Sequence, residues 1–182
     1  QLRRHAAGPA SALLLAFGAS FLAGCGRDEP PAAGARPNVV LISIDTLRAD
    51  HLGAYGYERP TSPNLDRLAA EGVLFENAVA PSPWTLPSHA SMLTGLVPAR
   101  HGVLDADRVL PGSIPTLAET LREAGVRTAA FVNVTYLGPR NGLSRGFEDF
   151  RHFDEMRMEL SGPPAIAAIR TWLDAHGERP FF

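Results

Sequence analysis

Residues 38–45 read N-V-V-L-I-S-I-D, a nearly unbroken apolar run of strand length that is rich in Val and Ile and closes on a carboxylate. A run without polar alternation suits a central parallel strand buried on both faces, and a strand of that kind belongs in a layered α/β domain. Ligands of open α/β sheets bind outside the carboxyl ends of the strands, which is where Asp45 falls. An Asp in that position also serves as a turn or helix cap.

The pattern downstream alternates accordingly. Thr61-Ser62-Pro63 supplies a capping hydroxyl and a proline suited to a first helical turn, and Leu65, Leu68 and Ala69 then recur at helical spacing until Gly72. Val73 to Val79 is expected to be extended. A second helix is expected from Leu86 or Pro87 to Gly95, with Thr85 at its N-terminal mouth. Pro115 to Ala124 carries Leu117, Leu121 and Ala124 on one face, closes at Gly125 and leads into a strand over Arg127 to Val132. Ala165 to His176 repeats the pattern with Ile166, Ile169 and Leu173, and hands over to Phe181. Between them Gly138 to Phe153 has no clear period and is long enough to be a functional loop.

The 182 residues suffice for one domain with a real core, and 45% hydrophobic with 20% charged residues fits a globular chain. All basic residues are Arg, they form no run or stripe, and the net charge is −2, so nothing favours nucleic acid as a partner. The start at Gln1 and the strand-like Pro180-Phe181-Phe182 at the other end read as a piece of a longer protein. Residues 1–25 read as an export signal, with Arg3 and Arg4 ahead of an apolar run from Ala10 to Ala23. That run is shorter than the roughly 20 residues of a membrane-spanning helix. It ends in Leu22-Ala23-Gly24-Cys25, which resembles the cleavage box of bacterial lipoproteins, with Cys25 as the lipid-bearing residue. A plain secretory signal or a buried thiol is the alternative. A single Cys excludes an internal disulfide. Residues 26–36, rich in Pro, Ala and Gly, read as a flexible tether. The expectation is a protein lipid-anchored in the bacterial cell envelope, on the periplasmic or outer-membrane face.

The residues that could carry chemistry are Asp45 at a strand end and Thr85 near a helix start. A threonine hydroxyl is a weak nucleophile until a base or a metal activates it. A divalent cation held by oxygen ligands does this, and backbone N–H groups at a helix mouth attract an anionic sulfate or phosphate. Oxygen ligands favour calcium or magnesium, and histidines shift the preference toward zinc or manganese. Thr85 equally suits an N-cap, a role open to Ser82 and Ser88 as well. His51, His152 and His176 lack a spacing that would join them at a metal. Trp84 either walls the pocket or packs in the core.

Six ordered segments resemble the sulfatase family, and through it the alkaline phosphatase superfamily. Pro37 to Ile42 followed by Asp45 is similar to the family's opening strand. Gly53-Ala54-Tyr55-Gly56, Thr61 to Ala69 and Phe75-Glu76-Asn77-Ala78 follow. The stretch T-L-P-S-H-A-S-M-L-T-G from Thr85 to Gly95, and then Arg100-His101-Gly102-Val103, complete the series. The nucleophile motif of the common sulfatases is Cys or Ser, any residue, Pro, any residue, Arg, then Leu-Thr-Gly. Here Pro87 and Leu93-Thr94-Gly95 match, while Thr85 stands at the nucleophile and His89 at the arginine.

The resemblance implies an alkaline-phosphatase-like α/β fold with a mostly parallel central sheet and helices on both faces, residues 37–182 forming its N-terminal part. It implies a metal-dependent sulfate ester hydrolase acting on an anionic ester. Its divalent metal ion would be calcium in the first place, with zinc, manganese and magnesium as alternatives. Asp45 and Thr85 would be metal ligands and Thr85 and His89 catalytic, with Arg48, His101 and Asn133 on the substrate; a salt bridge is the alternative role for Arg48, and a place on the surface the alternative for His101. Thr46 occupies the place of a second acid, and Asn133 stands nearest to a lysine that sulfatases carry. Sulfatases oxidise their Cys or Ser to formylglycine, but the β-methyl group of threonine would yield a ketone. Thr85 therefore points to direct attack, as in phosphodiesterases and phosphoethanolamine transferases of the superfamily. A phosphomonoester or phosphodiester hydrolase, such a transferase, and a non-catalytic lipoprotein that binds anions or glycans remain the alternatives.

Overall fold

In a computed structural model, which describes residues 36–153 and 158–182, five helices surround a small parallel sheet. The signal segment, Cys25 and most of the tether lie outside the described residues. Pro37–Phe182 forms one unit.

Helix α1, Pro63–Glu71, begins with proline in its first turn. Ser62 precedes it, but its hydroxyl does not cap the helix; it donates to Asp66 Oδ1 at 2.9 Å and accepts from Gly53 N at 3.0 Å. Asp66 Oδ1 also accepts from Ala54 N at 2.8 Å, so α1 is stapled to the single 3-10 turn at Gly53–Tyr55; another such turn precedes it at Ala49–His51. Gly53 is needed there, since a Cβ would stand 2.4 Å from Asp66 Oδ2. Leu68 on α1 is exposed, as are Val73, Phe75 and Val79 in the segment after it, which forms no strand.

Helix α2, Thr85–Thr94, ends on Gly95 in the left-handed conformation, whose N–H reaches Ser91 O at 2.8 Å. A short α3, Pro98–His101, follows, and then α4, Leu117–Glu123. Thr116 and Glu119 form a reciprocal capping box at the start of α4, with bonds of 3.1 and 2.8 Å. Strand β1, Ala129–Val132, pairs in parallel with β2, Asp149–His152, in the register Ala129 opposite Asp149 to Val132 opposite His152. Helix α5, Met158–His176, crosses between the sheet and a parallel bridge of Phe181 to Arg127. Its Trp172 donates to Asp149 Oδ2 at 2.7 Å, with Arg127 also 3.3 Å from that oxygen. These donors, the indole first, hold the Asp149 carboxyl below its ordinary pKa.

Two clusters make the core. Leu86 and Ala90 of α2 meet Val103, Leu110 and Leu143, and Ala118 of α4 meets Val126 and Phe182. Each fully buried Leu or Val contributes about 1.5–3 kcal/mol relative to exposure.

Two expectations are corrected. The run 38–45 is not a strand buried on both faces: it makes one main-chain bond, Val39 N to Phe181 O at 2.8 Å, and Val40 and Ile42 are about 70% exposed. Apolar character supplied the tendency, but the described residues supply neither a second neighbouring strand nor a layer to cover both faces. Of the expected mostly parallel sheet, the described residues hold two strands and one bridge, all paired in parallel. Gly138 to Phe153 is not a loop throughout, because it contains β2 and a 3-10 turn at Pro139–Asn141. Its period was hidden by anchors that pack through polar groups: Asn141 donates to Ala106 O and Arg108 O, and Arg145 donates to Ile114 O.

Gly146 lies at φ +89°, and a Cβ there would fall 2.1 Å from Glu119 N and 2.5 Å from the carbonyl carbon of Ala118. Replacing it with Ala is expected to cost more than about 2 kcal/mol in urea unfolding, since both the backbone conformation and α4 would have to yield. Gly56, at φ +93° with open space around it, should tolerate Ala at lower cost.

Candidate active site

The amphipathic logic of α2 places the site. Leu86, Pro87, Ala90 and Ser91 are buried, which turns Thr85 and His89, four residues apart, onto another shared face. Thr85 is the first helical residue, so its hydroxyl stands at the helix mouth. That hydroxyl donates to Asp45, with Oγ1 at 3.0 Å from Oδ2 and 3.2 Å from Oδ1. The carboxylate is oriented from its own side by Thr46 N, 3.1 Å from Oδ1. Thr46 itself sits at φ 56°, a left-handed conformation that costs a β-branched residue roughly 1–3 kcal/mol. The turn that aims Asp45 is therefore strained at the position where the second acid of the sulfatase pattern is replaced.

His89 reaches the same place from one helical turn further on. Its Nδ1 lies 2.8 Å from Thr85 O, and its Nε2 lies 2.8 Å from Ser43 Oγ. A carbonyl only accepts, so Nδ1 carries a proton, and in the neutral ring Nε2 accepts from the Ser43 hydroxyl. Ser43 was missed by motif matching. Its signal was the two-residue interval to Asp45, which puts both side chains on one side of an extended segment.

Ser43, Asp45, His89 and Asn133 all border one cleft of about 420 Å³, walled by the apolar residues 39–42, by β1 and by α5. Asn133 is exposed just beyond the carboxyl end of β1, as expected of a ligand-facing residue on a parallel strand. Two expected substrate residues are elsewhere. Arg48 forms a forked ion pair with Asp50, with Nε 2.9 Å from Oδ1 and Nη2 bonded to Oδ2. That pair raises the Arg48 pKa and depresses that of Asp50. His101 does not line the cleft but is fully buried: Nδ1 accepts from Val103 N at 3.1 Å, leaving Nε2–H to donate to Ser91 Oγ at 3.0 Å. It locks α3 onto α2. Trp84 packs against the first core cluster and meets Tyr136 edge-on, with ring centres 5.7 Å apart.

The donor chemistry fits a hard divalent cation in kind. Asp45 and Thr85 bring oxygens within 3.0–3.2 Å of one another, and a calcium ion takes six to eight oxygen ligands, so these two could supply only part of such a set. Among the described residues no group of three or more His, Cys, Asp or Glu converges on a metal site.

The family model described as Sulfatase matches residues 37–172. Canine N-acetylgalactosamine-6-sulfatase is 34% identical over 154 residues, covering 76% of this chain and 28% of that enzyme. Mouse steryl-sulfatase is 39% identical over 156 residues, covering 77% of this chain and 24% of that enzyme. The chain thus spans about a quarter of the length of these relatives. Among solved structures, the phosphonate monoester hydrolase of Agrobacterium radiobacter superposes with a TM-score of 0.58 at 29% identity, over 78% of this chain and 29% of that one.

Burial of the His101 ring pushes its pKa below the ordinary histidine value. The unfolded chain then binds the proton more readily than the folded one, so stability is complete above the unfolded value near 6.5 and falls as pH drops below it. Urea unfolding between pH 7.5 and 5.5 should show this loss, and His101→Gln should flatten the slope. An unchanged slope would mean that the ring is protonated without cost.

Proposed function

The chain belongs to the sulfatase family, and on that premise we propose that the whole protein is a metal-dependent hydrolase of sulfate esters in which Thr85 is itself the nucleophile. The observation that carries this reading is the Thr85 hydroxyl held against both oxygens of Asp45 at the N-terminus of α2. Asp45 fixes the direction of the O–H bond and draws its proton away from the face that meets the ester. The Thr85 oxygen attacks sulfur as its proton passes to Asp45, the bond from sulfur to the leaving oxygen breaks, and the departing alkoxide takes that proton and leaves as the alcohol. Water then cleaves the sulfated Thr85, releasing sulfate and restoring the hydroxyl. Asp45 and Thr85 would hold the divalent cation, calcium by family, which lowers the cost of deprotonating the hydroxyl and offsets charge on the ester. First-turn N–H groups of α2 favour the anion, and Asn133 donates to it from the end of β1. On this reading Arg48, paired with Asp50, and His101, bonded to Ser91, take structural roles.

A second reading has its own support. A threonine cannot become formylglycine, and a phosphonate monoester hydrolase is among the similar structures. Direct attack on phosphorus in a phosphate or phosphonate ester uses the same groups in the same order. With Cys25 lipid-bearing, either enzyme would work at the bacterial cell envelope.

Full-length protein, supplied in turn with calcium, magnesium, manganese and zinc, should turn over an aryl sulfate, with an aryl phosphodiester as the competing substrate. Thr85→Ala is expected to lower turnover about a thousandfold or more, while Thr85→Ser retains part of it. Asp45→Asn should also abolish most turnover with the melting temperature nearly unchanged. Turnover of the phosphodiester alone would select the second reading. Full activity in Thr85→Ala, or no turnover of either ester, would refute both.

A further inference from the structure

We propose that Ser43 and His89 act as a positioning clamp that sets the distance between Asp45 and Thr85, so that His89 is not an open ligand for the substrate. The proposal rests on the site reading above and names a residue, Ser43, to which that reading gave no role. Its basis is how little else locates the segment bearing Asp45. Between residues 39 and 44 the described residues show one main-chain bond, at Val39, and Asp45 stands six residues beyond it. The segment meets α2 at two rungs. Ser43 to His89 is one, at 2.8 Å, and Asp45 to Thr85 is the other, at 3.0 and 3.2 Å. The rungs are two residues apart on the segment and four apart on the helix, which are the repeat intervals of their respective faces. His89 closes the frame by bonding Thr85 O at 2.8 Å, so the rung nearer the sheet is tied directly to the nucleophile's own residue. Both ring nitrogens are engaged in this frame. An arginine at this position would present an open fork of donors, whereas this histidine spends its two nitrogens within the protein.

The test uses the full-length protein. Ser43→Ala should lower kcat about tenfold with KM changed less than twofold, and Ser43→Thr, which keeps the hydroxyl, should restore most of kcat. Because Ser43 acts through His89, Ser43→Ala should add nothing to a His89→Ala background. A readout independent of turnover is calcium titration by calorimetry. Displacement of the Asp45 carboxylate should weaken binding about threefold in Ser43→Ala and leave Ser43→Thr close to wild type. Equal kcat in wild type and Ser43→Ala, multiplying losses in the double variant, or a rise in KM alone would each overturn the clamp. If wild type turns over no ester, the functional reading fails first, and the calcium titration alone then decides the clamp.

Discussion

Helix α2 must satisfy two environments with ten residues, and the arrangement of the unit follows from how it does so. Leu86 and Ala90 are fully buried, and they orient the helix against Val103, Leu110 and Leu143. His101 bonds to Ser91 on the same buried side and fixes the short helix that follows. Once that face is committed, Thr85 and His89 have a single direction left to them, toward residues 43–45. Burial of apolar surface is non-directional, yet here it determines where two polar side chains point. The direction of these two side chains thus follows from core packing on the opposite side of one helix, and the hydrogen bonds to Asp45 and Ser43 then fix their positions.

Much of this was legible in the sequence, for identifiable reasons. The position of Thr85 at a helix mouth followed from Pro87 and Gly95, residues whose backbone preferences are strong enough to mark a start and an end. The meeting of Asp45 with Thr85, 40 residues apart, followed from family resemblance together with the rule for strand ends. Arg48 and His101 matched family positions equally well, but neither lines the cleft. An exposed Asp50 two residues away captures the guanidinium, and a buried serine ten residues back captures the imidazole. Motif matching locates a residue along the chain and cannot tell which neighbour will satisfy its donors. Ser43 was missed for the converse reason: serine inside an apolar run carries no chemical signature until a partner stands opposite.

The same limit explains the misjudged elements. Residues 138–153 looked irregular because their anchors are polar side chains bonded to carbonyls, and hydrophobic periodicity does not register such anchors. Residues 38–45 looked like a buried strand because composition reports what a segment prefers, whereas burial depends on what surrounds it. Across the described residues the segment keeps its apolar character and lacks its surroundings.

That last feature bears on what the exposed segment can do. A row of Val, Leu and Ile side chains whose backbone donors and acceptors, among the described residues, are nearly all unclaimed is a template for strand addition. No Lys, the residue that most often discourages such pairing, occurs in it. The segment that carries Asp45 is therefore also one at which the chain is open to pairing with a neighbour. Productive folding becomes a race between closure within one molecule, whose local concentration is fixed by chain connectivity, and capture by another, whose rate rises with crowding.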